Sequence, residues 1–98
     1  MTINKNKYEN TLTVVIEGRL DTTTAPQLEA ELKESLKGIT TLVIDMSALE
    51  YISSAGLRVL LSAQKIMNKQ GEMKVAGASE TIMEIFEVTG FSDIFSFI

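Results

Sequence analysis

The 98-residue chain has no cysteine, no histidine and no tryptophan. The first absence excludes disulfides, thiolate chemistry and cysteine-ligated metals. The second removes the commonest general base and the commonest metal ligand together. Four Phe and two Tyr are the whole aromatic complement, too little to stack a run of bases. Nine Lys and Arg against thirteen Asp and Glu leave a net charge of −4. That is the wrong sign for a general phosphate-backbone binder, so nucleic acid is not an expected partner. No run approaches the roughly 20 apolar residues that span a bilayer. The longest apolar clusters, Leu12–Ile16 and Val59–Leu61, are of core-element size. The opening Met1-Thr2-Ile3-Asn4-Lys5 has no signal-peptide hydrophobic region. No membrane insertion is expected, and a cytoplasmic location is the default.

What is present is ordinary for a globular protein: 45% hydrophobic and 22% charged residues, which excludes wholesale disorder. The length fits one domain over residues 1–98 and is too short for two cores. Ile3–Tyr8 reads as a polar edge strand carrying lysines, and Tyr8-Glu9-Asn10-Thr11 as a turn. Leu12, Val14 and Ile16 then alternate with Thr11, Thr13 and Val15 in a strand pattern. Thr24-Ala25-Pro26-Gln27 fits a capping box, with Thr24 as N-cap and Pro26 in the first helical turn. Leu28, Leu32 and Leu36 give that helix its apolar stripe, and Gly38 stops it. Thr40–Asp45 is expected as a central strand covered on both faces, with Met46–Ile52 a connecting loop.

A second helix is expected from Ser53 or Ser54 to about Gln70, burying Leu57, Leu60, Leu61 and Met67. Glu72–Gly77 is a further strand. Ser79 caps a third helix with Ile82, Ile85, Phe86 and Thr89 on one face, and Gly90 ends it. A last short strand falls at Ile94–Phe97. The scattered Met46, Met67, Met73 and Met83 read as core fillers. The pattern predicts an α/β fold, a mixed sheet of about four to five strands with helices packed against it.

The informative segment runs from Asp45 to Leu61. A helix's first turn presents unpaired N–H groups and partial positive charge, so Ser53 and Ser54 sit where a cap or a phosphate is welcome. Ala55 and Gly56 beside them leave room for close approach of another backbone or a phosphate, because a mid-helix glycine otherwise costs about 1 kcal/mol. Ser54, Arg58, Ser62 or Leu61, Lys65 and Lys69 follow helical spacing. This stripe reads either as a solvated polar face or as a docking surface for an acidic partner.

An enzyme is not expected. Ser47, Ser53 and Ser54 are nucleophile candidates, but there is no histidine base and no G-x-S-x-G elbow. Asp21 and Asp45 read either as paired carboxylates or, more simply, as turn and cap residues. No phosphate-binding glycine motif is present, and neither cofactor nor metal is called for.

Several segments in order resemble the STAS domain, in particular the bacterial anti-sigma-factor antagonists. They are Gly18-Arg19-Leu20-Asp21 with Thr23-Thr24-Ala25, Asp45-Met46-Ser47-Ala48-Leu49, Tyr51-Ile52-Ser53-Ser54-Ala55-Gly56-Leu57, Glu72–Val75 and Val88-Thr89-Gly90-Phe91. The resemblance implies a STAS-like single domain. It implies a binding module that holds an anti-sigma factor, itself a serine protein kinase, until that partner phosphorylates the module at Ser54. A serine phosphatase would reset it. By position, Gly56-Leu57 set the register that selects Ser54 over Ser53, and Asp21 matches an aspartate near the phosphorylation loop. The expected contact set is Asp21, Thr23, Ser53, Ser54, Ala55, Gly56, Arg58, Ser62 and Lys65.

Ser53 stands where many members have Asp. Many members also continue past the point corresponding to Ile98 into a final helix, which leads to an expectation of exposed apolar surface near Phe95 and Phe97 and a monomer or weak dimer. The alternative reading is a small STAS subunit of a transporter or lipid-trafficking complex that acts by docking.

Overall fold

Glu9 occupies the left-handed backbone region, with φ 54°, and reverses the chain between β1 (Thr2–Tyr8) and β2 (Thr11–Leu20). In this computed structural model, which describes residues 1–98, the two strands pair antiparallel with Ile3 opposite Ile16. The remaining elements are α1 (Ala25–Ser35), β3 (Thr41–Ile52), α2 (Ser54–Asn68), β4 (Glu72–Ala76), α3 (Glu80–Thr89), a 3₁₀ turn (Phe91–Asp93) and β5 (Ser96–Phe97). The strands form one mixed sheet in the order β1-β2-β3-β4-β5, parallel from β2 onward. This is the expected α/β architecture, with five strands.

All three helices lie on one face. Leu12, Val14 and Ile16 of β2, Leu42, Ile44 and Met46 of β3, and Met73 and Val75 of β4 are buried beneath them. The alternating set Thr13, Val15, Val43 and Asp45 is only half-buried on the other face. The expectation of a central strand covered on both faces is therefore wrong. A continuous apolar run looks the same whether its second face is covered or open. Lys5 holds the edge strand to α1, with Nζ 2.6 Å from Glu31 Oε2 and 3.0 Å from Ser35 Oγ.

Four further expectations are corrected. Met46–Ile52 is not a loop: β3 continues to Ile52, paired with the end of β2 through register shifts at Val15/Glu17 and Gly18/Arg19. These irregularities replace period-two burial with burial at Met46, Leu49 and Ile52, which hides the strand from an alternation test. The capping box at Thr24 does not form, because its side chain makes no cap bond. Helix α2 ends at Asn68, and its buried set takes in Val59, Ala63 and Gln64 while Leu61 is only half-buried. Phe95 is buried and Phe97 half-buried, since both pack on Phe86, with ring centroids 5.5 and 5.6 Å away. The exposed apolar side chains near that end are instead Val88, Ile94 and Ile98. The methionine expectation holds for Met46, Met67 and Met73, which are fully enclosed. The caps of α3 also form, with Ser79 Oγ accepting from Ile82 N and Gly90 at φ 81°.

The α1–β3 and α2–β4 connections lock together below the sheet. Gln70 Nε2 donates to the Leu36 and Ile39 carbonyls at 2.7 and 2.6 Å, and Glu72 N donates to the Thr40 carbonyl at 3.0 Å. A Cβ on Gly71 would overlap the Thr40 carbonyl oxygen, and that oxygen belongs to rigid backbone. Gly71→Ala should therefore destabilise the fold by on the order of 2 kcal/mol or more. Urea unfolding reads this directly, and an unchanged midpoint would show that the two connections do not pack as described.

Candidate functional site

Two loops meet at the carboxyl ends of β2 and β3. The carbonyl of Leu20, the last residue of β2, accepts the Ser53 N–H at 2.8 Å. Leu20 itself is fully buried, and its side chain fills the space that a larger residue at 56 would need. A Cβ on Gly56 would lie 2.6 Å from Leu20 Cγ and 3.1 Å from the Leu20 carbonyl oxygen. The room at Gly56 thus serves the chain's own strand, not a phosphate or a second backbone as the sequence allowed.

Asp21 follows and organises the β2–α1 loop. Its Oδ1 accepts from Thr23 N at 3.0 Å, Thr23 Oγ1 at 2.7 Å and Thr24 N at 3.2 Å. Thr24 Oγ1 accepts from Asp21 N at 2.8 Å and donates to the Arg19 carbonyl at 2.8 Å. The Thr24 hydroxyl is consumed there, so it cannot cap α1, and the Asp21 carbonyl takes the Ala25 N–H instead at 2.8 Å. Hydrogen bonds from Thr23, side chain first and then backbone, hold the Asp21 carboxyl below the usual carboxylate range.

At the start of α2 the two adjacent serines divide their roles. Ser53 is extended and is the N-cap, its Oγ accepting from Gly56 N at 3.3 Å. Ser54 is the first helical residue, and its side chain is exposed and bonded to nothing in the protein. Asp and Ser are near-equal caps, so serine at position 53 changes the local charge and keeps the helix start. Arg58, Ser62 and Lys65 lie exposed along α2, and Ala55 is half-buried between α2 and α1. Thr23 is exposed beside Asp21. The structure brings the expected contact residues onto one end of the molecule and one adjoining helix face, except Gly56, which is buried against Leu20.

Asp45 is not part of this cluster. It pairs with Val15, six positions before Asp21 on β2, which is about 20 Å away along the strand. Its Oδ1 accepts from Ser47 Oγ and from Ser47 N, and these bonds lower its carboxyl. The paired-carboxylate reading fails on that separation.

Sequence reasoning missed Leu20, Arg19 and Tyr51. The Arg19 guanidinium stacks 4.5 Å above the Tyr51 ring and lies 3.9 Å from Asp21 Oδ2. Their adjacency depends on β3 continuing to Ile52, where Arg19 pairs with Tyr51. Reading β3 as a long strand would have revealed it.

With this geometry in place, the family model described as the STAS domain matches residues 2–98. The chain belongs to the STAS domain family. It is 39% identical over 97 residues to the candidate anti-sigma factor antagonist BtrV of Bordetella bronchiseptica, covering 97% of this chain and 84% of that one. It is 31% identical over 93 residues to the anti-sigma-B factor antagonist of Bacillus subtilis, covering 94% and 85%. The crystal structure of an anti-sigma factor antagonist from Mycobacterium paratuberculosis superposes with a TM-score of 0.88 at 26% identity, covering 98% of this chain and 83% of that one.

The lowered carboxyls of this STAS domain have a consequence with a definite sign. A carboxyl whose pKa is depressed on folding stabilises the fold above its ordinary value of about 4, and that stability is lost as pH falls through the native value. Asp21→Asn should therefore be less stable than wild type at pH 7, with the gap narrowing as pH falls below the ordinary carboxyl value of about 4. Denaturant melts across this range test it, and a gap that is independent of pH would contradict it.

Proposed function

We propose that this chain is an anti-sigma factor antagonist switched by phosphorylation at Ser54. In its unphosphorylated form it binds an anti-sigma factor that is also a serine kinase, and so frees the sigma factor. Phosphorylation by that partner ends the binding, and a serine phosphatase restores it. The chain acts in the cytoplasm as a binding module, through Asp21, Thr23, Ser53, Ser54, Ala55, Arg58, Ser62 and Lys65, while Gly56, buried against Leu20, seats α2 instead of touching the partner. The observation that carries this reading is the division of labour at the start of α2: Ser53 takes the cap, leaving Ser54 exposed and unengaged at the end where α2 meets the β2–α1 loop. The antagonist names of relatives at 39% and 31% identity favour it over a transporter subunit.

The physics of the switch is consistent. A phosphate adds about −1.5 to −2 charge at pH 7. At the first position of α2 it faces the positive end of the helix dipole, worth roughly 0.3–1 kcal/mol in its favour. Within an interface the same uncompensated charge costs about 3–5 kcal/mol, or roughly two to three decades of affinity. The fold tolerates the phosphate and the complex does not.

The test uses the purified anti-sigma factors of the source organism, with binding measured by calorimetry. Ser54→Ala should bind like wild type, and Ser54→Asp should bind at least about tenfold more weakly, since a single carboxylate carries less charge than phosphate. After incubation with ATP, mass spectrometry should place the added phosphate on Ser54. Equal affinities for the two variants, or a phosphate on Ser53 alone, would refute the assignment.

A further inference from the structure

Asp45-Met46-Ser47 takes no part in the proposed docking surface, yet β3 changes character there. Up to Asp45 the strand has a neighbour on each side, with Asp45 itself opposite Val15 of β2 and Ala76 of β4. Beyond it only β2 pairs with β3, from Glu17 and Ala48 to Leu20 and Ile52. The far half of β3, which leads into Ser53, is therefore held along one edge alone.

That half is also out of step with the near half. Met46 and Ser47 both fall opposite Ile16, and Glu50 is a further extra residue at the step from Gly18 to Arg19. A slip of one residue turns every later side chain to the other face of a sheet. The first irregularity brings Leu49 into the core and the second brings Ile52. Losing the first alone would turn both outward. It would also move Ser53 by one residue, about 3.3 Å, away from the Leu20 carbonyl that its N–H now meets at 2.8 Å.

Two contacts grip the first irregularity. Asp45 Oδ1 accepts the Ser47 N–H at 2.9 Å and also the Ser47 hydroxyl. This supplies a side-chain acceptor at a point where the ladder is disrupted. From the β4–α3 loop, Gly77 lies against Ser47 in the left-handed region, with φ 71°. A Cβ there would lie 2.9 Å from Ser47 Cβ and 3.0 Å from Ser47 N. Ser47 is thus held between a carboxylate and the backbone of the next connection.

We infer that Asp45 is a positioning residue for the switch: through Ser47 its carboxylate fixes the register in which the far half of β3 delivers Ser53 to the Leu20 carbonyl and so sets where Ser54 stands. The link to docking rests on the antagonist reading, whereas the register itself does not. This gives the Asp45–Leu49 motif a task at the site without placing it in contact with the partner.

The experiment compares Asp45→Ala, Asp45→Asn and Ser47→Ala with Leu36→Val, a buried change at the opposite end of the molecule that costs stability alone. Amide hydrogen exchange reads the register without any partner. In Asp45→Ala the Ser53 amide should exchange at least about tenfold faster relative to that of Ile44, which precedes the irregularity, and in Leu36→Val this ratio should stay within about twofold. Affinity for the anti-sigma factor that wild type binds should fall about tenfold or more in Asp45→Ala. Asp45→Asn, whose amide oxygen still accepts from Ser47 N, should stay within about threefold. Should Asp45→Ala fail to fold, Ser47→Ala carries the test, with the same selective loss at Ser53 in smaller measure. Exchange at Ser53 that rises only in step with Ile44 would overturn the inference, and so would faster exchange at Ser53 with affinity unchanged. In either case a weakened Ser54→Asp leaves the antagonist reading standing. If wild type binds no anti-sigma factor, the antagonist reading falls and the exchange ratio still decides the register.

Discussion

The candidate site depends on Leu20. Its carbonyl anchors the N–H of Ser53, and its side chain occupies the place a Cβ at Gly56 would need. These contacts set where α2 begins and how it is rotated about its own axis. Once Ser53 is held as the cap, with its Oγ on Gly56 N, the next residue is turned by about 100° and its side chain points outward. The exposure of Ser54 is thus a consequence of packing between a strand end and a helix start. The same contact joins the α2 loop to the Asp21 loop, since Asp21 directly follows Leu20. Any side chain at position 56 would push α2 off β2 and loosen both loops together.

Much of this was legible in the sequence where the signal was local. The hairpin turn at Glu9-Asn10, the alternation of Leu12, Val14 and Ile16, the Ser79 cap and the Gly90 stop each depend on residues within a turn or two of one another. The failures have a common cause in contacts between distant segments. Thr24 has every property of an N-cap, but its hydroxyl is taken by Asp21 and Arg19. The second half of β3 loses its alternation where the register with β2 shifts. The apolar surface expected near Phe95 and Phe97 from comparison with longer family members is covered by packing on Phe86 of α3. At the site, the Gly56-Leu57 register selected Ser54 over Ser53, and the cap geometry supplies the physical difference between the two serines.

That separation bears on how the proposed switch would act. A phosphate on a capping serine would compete with the bond that starts the helix, and modification would then act by loosening the fold. On Ser54 it adds charge at a helix end that accommodates it, leaving the Ser53 cap and the Leu20 anchor untouched. Under the proposed switch, stability and docking would be independent, and the module would keep one structure in both phosphorylation states. The Thr23 and Thr24 bonds that hold Asp21 ionised support the same end of the molecule. They fix the Asp21 carboxylate within the β2–α1 loop, which the Leu20–Ser53 bond joins to the start of α2.

This independence can be measured on one sample. The chain carrying phosphoserine incorporated at position 54 would be compared with the unmodified chain for both unfolding free energy and affinity for the anti-sigma factor. The account predicts a change of less than about 1 kcal/mol in stability, together with an affinity lower by about two decades or more. A phosphorylated chain that is markedly less stable, or one that binds as tightly as before, would contradict it.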